Sequence, residues 1–265
     1  MPPPRGVARA RGPAPARLLF AALVGLAAPA CLDELLESPY LLAPGLGEAR
    51  SVSIGLDKRL LVATQSGVYA VDGAGAAERL YAGPAQAVTA HPGRVYTLHD
   101  GTVTLRDATG ATLGPLPTPG AVDLLAGFDE LVVLYPDRLE TLAQADFAPR
   151  RAATPLRDAR AVALGPKDTY LVVTETTFVA VGPDGRATEL AAGLVDPRAA
   201  AADAHGRRYV VADGELWRLD EAGLASVAGW LKDTRDLQFG VGGLLAAENL
   251  YIASGAGTLD YVRPP

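Results

Sequence analysis

The sequence predicts an all-β fold, a β-propeller of six four-stranded antiparallel blades. Three observations carry that expectation. Apolar runs of about five residues, rich in β-branched and aromatic side chains, recur along the chain. Their starts lie 35, 36, 39, 39 and 41 residues apart. Gly and Pro, 29 and 21 of 265 residues, punctuate them throughout. That content disfavours a helical bundle and supplies turns, and a period of this length is the mark of a repeat architecture.

The chain opens on an address. Residues 1–17 carry Arg5, Arg9, Arg11 and Arg17 and no acid, and an apolar run follows from Leu18 to Ala28. A basic stretch, a short apolar run and small residues make a secretory signal peptide over residues 1–30. Eleven apolar residues are too few to span a bilayer, which takes about 20. The single cysteine, Cys31, follows directly. Ala28-Pro29-Ala30-Cys31 resembles the lipobox of bacterial lipoproteins, although Leu26 stands two positions early and Pro29 is unusual. Lipidation of Cys31 is the expectation, because a free thiol as first residue suits an oxidising compartment poorly. Residues 31–39 then form the lipidated end and a tether, and residues 40–265 one propeller domain.

Each unit of the repeat carries four short strands. The second and most apolar strands start at Leu60, Val95, Leu131, Tyr170, Tyr209 and Leu250. Continuous apolar runs of this length are strands buried on both faces. A strand precedes each of them: Arg50 to Ile54, Gln86 to Ala90, Gly120 to Leu124, Arg160 to Leu164, Arg198 to Ala202 and Arg235 to Phe239. These carry small residues (Ser51, Ser53, Ala161, Ala163, Ala199, Ala201), which suits the crowded axis of a ring. The third strands include Val68 to Val71, Phe178 to Val181 and Leu216 to Leu219. Four of them run into turns that close on Gly75, Gly110, Gly185 and Gly223, and fourth strands follow. The sixth unit stops after its third strand. Leu41 to Gly45 reads as the missing fourth, so the N-terminal segment is expected to close the ring and leave no open edge.

The fifth unit carries the most specific signal. Asp203-Ala204-His205-Gly206-Arg207-Arg208-Tyr209-Val210-Val211-Ala212-Asp213, followed by Leu216-Trp217-Arg218-Leu219-Asp220, resembles a repeat of the NHL and SMP-30/gluconolactonase-like six-bladed propellers. The resemblance covers about residues 40–265 and implies architecture, since such propellers host many activities. In lactonase-like members it implies carboxylates and Asn around a divalent cation at the channel mouth. The one Asn here, Asn249, precedes an apolar strand, so no metal ligand carries over.

Composition narrows the partner. Once the four arginines of residues 1–30 are gone, 20 basic face 30 acidic side chains, a net charge of −10 over 235 residues. Nucleic acid is excluded as a partner by such a surface. One Cys allows neither a disulfide framework nor a thiolate zinc site. His91 and His205 fall in turns on one face and His99 on the other, so they do not converge. Acids follow the second strands at Asp100, Asp137, Glu175 and Asp213, positions where Asp and Glu favour turns. Trp217 and Trp230 read as packing residues.

The strongest constellation is an acid-x-Arg repeat: Glu48-Ala49-Arg50, Asp158-Ala159-Arg160, Asp196-Pro197-Arg198 and Asp233-Thr234-Arg235. Equivalent positions in a ring gather the four Arg at one mouth. There they either bridge neighbouring blades or grip an anionic group through their forks. The expectation is therefore an exported, lipid-anchored, monomeric propeller of the bacterial envelope, held to the membrane through Cys31. It acts as a non-enzymatic binding or scaffold module for a protein, peptide or glycan, with no catalytic residue, metal or cofactor. The alternative is a hydrolase or lyase of the lactonase type using a divalent cation.

Overall fold

The computed structural model describes residues 40–263, apart from residues 56, 128, 154, 230, 232 and 241–248. The expected signal peptide and tether, Cys31 and Trp230 lie outside the described residues. The chain folds as six four-stranded antiparallel sheets. Strand β1 (Tyr40–Ala43) comes first and belongs to the last sheet. Blade 1 is β2 (Ala49–Ile54), β3 (Leu60–Thr64), β4 (Gly67–Val71) and β5 (Ala77–Ala82). Blade 2 is β6 (Ala87–His91), β7 (Arg94–His99), β8 (Thr102–Asp107) and β9 (Thr112–Pro117). Blade 3 is β10 (Asp123–Ala126), β11 (Glu130–Leu134), β12 (Leu139–Ala143) and β13 (Pro149–Ala153). Blade 4 is β14 (Ala161–Leu164), β15 (Tyr170–Val173), β16 (Thr177–Val181) and β17 (Ala187–Ala192). Blade 5 is β18 (Ala199–Ala202), β19 (Arg208–Ala212), β20 (Glu215–Asp220) and β21 (Gly223–Ala228). Blade 6 is β22 (Thr234–Phe239), β23 (Leu250–Ser254), β24 (Thr258–Val262) and then β1.

The N-terminal strand closes the ring as the sequence predicts. Tyr40 pairs with Tyr261, Leu41 with Asp260 and Ala43 with Leu259 across an antiparallel ladder with one bulge. Just beyond it, the Leu46 N–H donates to Gly257 O at 3.2 Å. The first strands of the blades stand side by side around the axis, and β22 packs on β2 to complete the circle. One boundary differs from expectation. The inner strand of blade 3 runs Asp123–Ala126 rather than from Gly120. Thr118-Pro119-Gly120 makes a turn first, with Gly120 at φ +83° and the Ala121 N–H on Thr118 O. Pro-Gly is turn chemistry, and it delays the strand.

The core is divided among the six seams between blades. One cluster joins blades 5 and 6 through Tyr209, Phe239 and Leu250, and another joins blades 6 and 1 through Ala43, Leu46, Leu60 and Tyr251. The remaining four clusters fill the other seams in the same way. This explains why the second strands are apolar at successive positions: β3, β11 and β23 are buried at every residue. Both faces of each blade meet a neighbour.

Turn chemistry repeats with the blades. Asp100-Gly101 and Asp213-Gly214 occupy two-residue hairpins with positive φ at both positions, the geometry that matches strand twist. Asp72 Oδ1 accepts the N–H of Ala74 and Ala76, and Asp107 Oδ1 those of Thr109 and Ala111, all at 2.9 Å. The glycines closing these turns also touch the preceding blade. A Cβ on Gly75, at φ +85°, would lie 2.0 Å from Leu42 O of the closing strand. The turn therefore seats directly on β1.

A buried polar network spans blades 2 to 4. Glu130, 5% exposed, accepts the Tyr170 hydroxyl and the Arg151 guanidinium. Arg151 also donates to Pro183 O at 2.9 Å and lies over the Tyr170 ring. Gln144 Nε2 donates to Gly127 O and Glu130 O, and Tyr96 reaches Gln144 Oε1 at 3.5 Å. Burial and the hydrogen bond to Glu130 hold the Tyr170 phenol well above the usual range. Buried polar groups are stable only when partnered, and these partner one another.

Candidate functional site

The inner strands enclose an axial cavity of about 440 Å³. Ser51, Thr89, Asp123, Leu164 and Asp236 are among the residues on its wall, and Asp203 stands toward its far end. The two inner-strand carboxylates belong to blades 3 and 6, which are opposite in a six-membered ring. Each is pinned in the same way. Asp236 Oδ2 accepts the Val52 N–H of the next blade at 2.8 Å, and its Oδ1 accepts the Leu237 N–H at 2.8 Å. Asp123 Oδ2 accepts the Val162 N–H of the next blade at 2.9 Å, and its Oδ1 the Leu124 N–H at 2.8 Å.

These contacts are clasps across seams. Blade 1 makes the same clasp with a neutral group, since Ser51 Oγ accepts the Val88 N–H at 3.3 Å. Thr89 Oγ1 accepts the Ala126 N–H at 2.9 Å between blades 2 and 3. In blades 4 and 5 the inner strands, β14 and β18, are built mainly of alanine. The ring thus uses a carboxylate at two opposite seams and a hydroxyl or a methyl elsewhere.

The two acids sit in an unfavourable field. Burial lifts the Asp123 carboxyl well above the usual carboxylate range, and the charge of Asp236 lifts it further, against the lowering effect of its two N–H donors. Burial pushes Asp236 up to about 6, opposed by the N–H groups of Val52 and Leu237 and by the Ser51 hydroxyl. Like charges that face one cavity disfavour double ionisation.

The acid-x-Arg repeat lies at the mouth where the inner strands begin. Arg50 and Arg235 both meet Glu48, at 3.1 and 3.8 Å. Arg198 and Arg160 both meet Asp196, at 2.6 and 3.6 Å, and Arg160 also approaches Glu175 at 3.9 Å. Two of these contacts, Arg235 to Glu48 and Arg160 to Asp196, cross from one blade to the next. Asp158 and Asp196 adopt left-handed φ of +50° and +44°, and Asp233 O accepts the Gly255 N–H at 2.8 Å. These three aspartates thus shape the corners leading into their strands. Pairs this exposed contribute roughly 0.2–1 kcal/mol each.

The other sequence candidates do not gather. His91 ends β6 and His205 lies in the turn after β18, whereas His99 ends β7 at the opposite mouth, where Nε2 lies 3.3 Å from Asp100. Among the described residues, no three His, Cys, Asp or Glu come together as metal ligands do. Trp217 packs in the seam between blades 4 and 5 and donates Nε1–H to Ala212 O at 3.1 Å. Asp123 and Asp236 went unmarked in the sequence because a single acid in a strand looks like a solvated face. The available signal was alignment of the inner strands, where both acids fall beside Ser51 and otherwise small residues.

The sequence matches no protein-family model and no curated protein. Its fold is similar to that of solved propellers. A gluconolactonase from Xanthomonas campestris superimposes with a TM-score of 0.72 at 14% identity, covering 90% of this chain and 94% of that one. A catalytically inactive virginiamycin B lyase from Staphylococcus aureus gives 0.60 at 8% identity, over 86% of this chain and 99% of that one. The extracellular domain of a one-component system from B. thetaiotaomicron gives 0.58 at 10% identity, over 86% of this chain and 39% of that one. At such identities the likeness is one of fold, which a gluconolactonase, a lyase and an extracellular domain share.

Proposed function

We propose that this chain is an exported, lipid-anchored propeller of the bacterial envelope that works as a non-enzymatic binding module, with its axial channel receiving a basic group of a protein or peptide partner. The observation that carries the reading is the pair of opposed carboxylates, Asp123 and Asp236, on one cavity wall. A lysine or arginine side chain entering there meets acceptors on both sides. It also relieves their mutual repulsion. The basic stretch before Cys31 supports export, and the small residues leading into Cys31 support the anchor.

The lactonase-type alternative draws on the gluconolactonase and lyase neighbours. It needs a divalent cation in the channel. Hard cations take six or more oxygens. Asp123 and Asp236 stand on opposite blades, and no three His, Cys, Asp or Glu come together as ligands among the described residues. The donor set does not fit.

Short lysine- and arginine-rich peptides are expected to bind the mature protein more tightly than glutamate-rich ones of equal length. Affinity should weaken as salt rises and fall at least tenfold in Asp236→Ser, about 1.4 kcal/mol. Equal affinity of the two proteins would sink the channel assignment. The anchor is checked separately by fractionating bacterial cells. Cys31→Ala should move the protein from membranes to the soluble fraction, and a variant that still floats with membranes removes the anchor from the reading.

A further inference from the structure

We propose that Asp123 and Asp236 form a proton-sensitive lock on the ring, two opposed carboxylate clasps that cannot both be charged cheaply, so that taking up a proton as the solution is acidified tightens the blades. The inference concerns the ring itself and is independent of what the channel binds. It starts from placement. The two acids border one cavity from opposite blades of the ring, and are each held by two backbone N–H groups. Pinned on both oxygens, neither swings away to lessen the repulsion.

Among the described residues, the ion pairs that the nearby cations make are with other acids. Around Asp236, β2 brings Ser51 and Ser53, with Arg50 at its start engaged by Glu48. Strand β18 brings alanines, β23 brings Tyr251, and Arg235 on the same strand as Asp236 reaches Glu48 at the mouth. Around Asp123, β6 brings Thr89 and, at its far end, His91, while β14 brings alanine, valine and leucine. Strand β11 begins at Glu130, held by Arg151 and Tyr170. Farther along the channel Asp203 is paired with Arg207 at 2.5 Å. The clasp does not demand charge either, because Ser51 makes it in blade 1 with a hydroxyl.

The direction follows from linkage. Each carboxyl is raised in the folded ring above the unfolded value of 3.8. A raised carboxyl adds stability that is complete below the unfolded value and is lost as pH rises through the folded one. The window opens at 3.8 and extends to about 6 for Asp236, and upward for Asp123. Asp260, raised by burial, acts in the same sense. Asp57, Asp107 and Asp129 are lowered, so their losses on acidification fall below 3.8 and outside this window.

The test is thermal denaturation of the full mature chain between pH 5 and 8, for the native sequence and for Asp123→Ser/Asp236→Ser, which imitates blade 1. The native protein is expected to gain about 5 °C or more in Tm on going from pH 8 to pH 5, relative to the double variant. Parallel profiles overturn the lock. Should the double variant not fold, carbon NMR of aspartate-labelled native protein decides. An Asp carboxyl titrating near 6 supports the proposal, and an absence of any Asp midpoint above 5 overturns it. In Asp236→Ser the midpoint of Asp123 should move down, a shift that a purely steric role for Asp236 does not produce.

Discussion

Deleting residues 32–46 is expected to lower the melting temperature by roughly 10–20 °C, while deleting residues 32–38 leaves it nearly unchanged. The longer cut removes β1 and with it the ladder to β24. It also removes Leu46, 3% exposed, and the fully buried Ala43 from the seam between blades 6 and 1. Burying one leucine is worth about 1.5–3 kcal/mol, and the rest of the segment brings the loss to roughly 4–6 kcal/mol. The bared edge of β24 would template association, so the truncated protein should also enlarge with concentration in light scattering. Equal melting of the two truncations would show that the ring is closed by something else.

The second large effect is expected at Glu130. Glu130→Ala strands the buried Tyr170 hydroxyl and leaves Arg151 with Pro183 O and the ring of Tyr170. Breaking a buried pair from one side costs about 3–5 kcal/mol. Arg151 keeps 28% of its side chain in solvent and regains some hydration, which brings the expected loss to about 2–4 kcal/mol. Glu130→Gln keeps an acceptor for Tyr170 and should cost less. Chemical denaturation of the two variants gives the comparison, and an Ala variant as stable as the Gln variant would mean the tyrosine contact contributes nothing.

The periodic part of this fold was legible in the sequence because the blades bury both faces of their second strands. Burial on two sides leaves runs such as Leu131-Val132-Val133-Leu134 that no solvent-facing strand carries. The closing strand was legible by elimination, from a last unit one strand short. What the sequence concealed depends on the ring being closed. Asp123 and Asp236 are 113 positions apart and acquire a relationship only when blades 3 and 6 face each other. Glu130 carries no mark of its own in the sequence, and gains its partners only when β13 and β15 bring Arg151 and Tyr170 to it. Conversely, the four arginines stood out by repetition. The structure places them in two sets, each sharing one acid.

The ladder between β1 and β24 also orders events in time. Of the described strands, the one that completes blade 6 is made first and its partner is made last. Throughout synthesis β1 has no ladder to join, while blades 1 to 5 find their partners locally, strand by strand. Closure then joins residues as far apart as Tyr40 and Tyr261, 221 positions along the chain. Loop-closure entropy makes such contacts slow, and unpaired apolar segments are vulnerable while they wait. Export, as proposed above, would make that interval useful. An unclosed ring has not reached its final stability, so the same topology that delays folding keeps the polypeptide threadable until its last strand arrives.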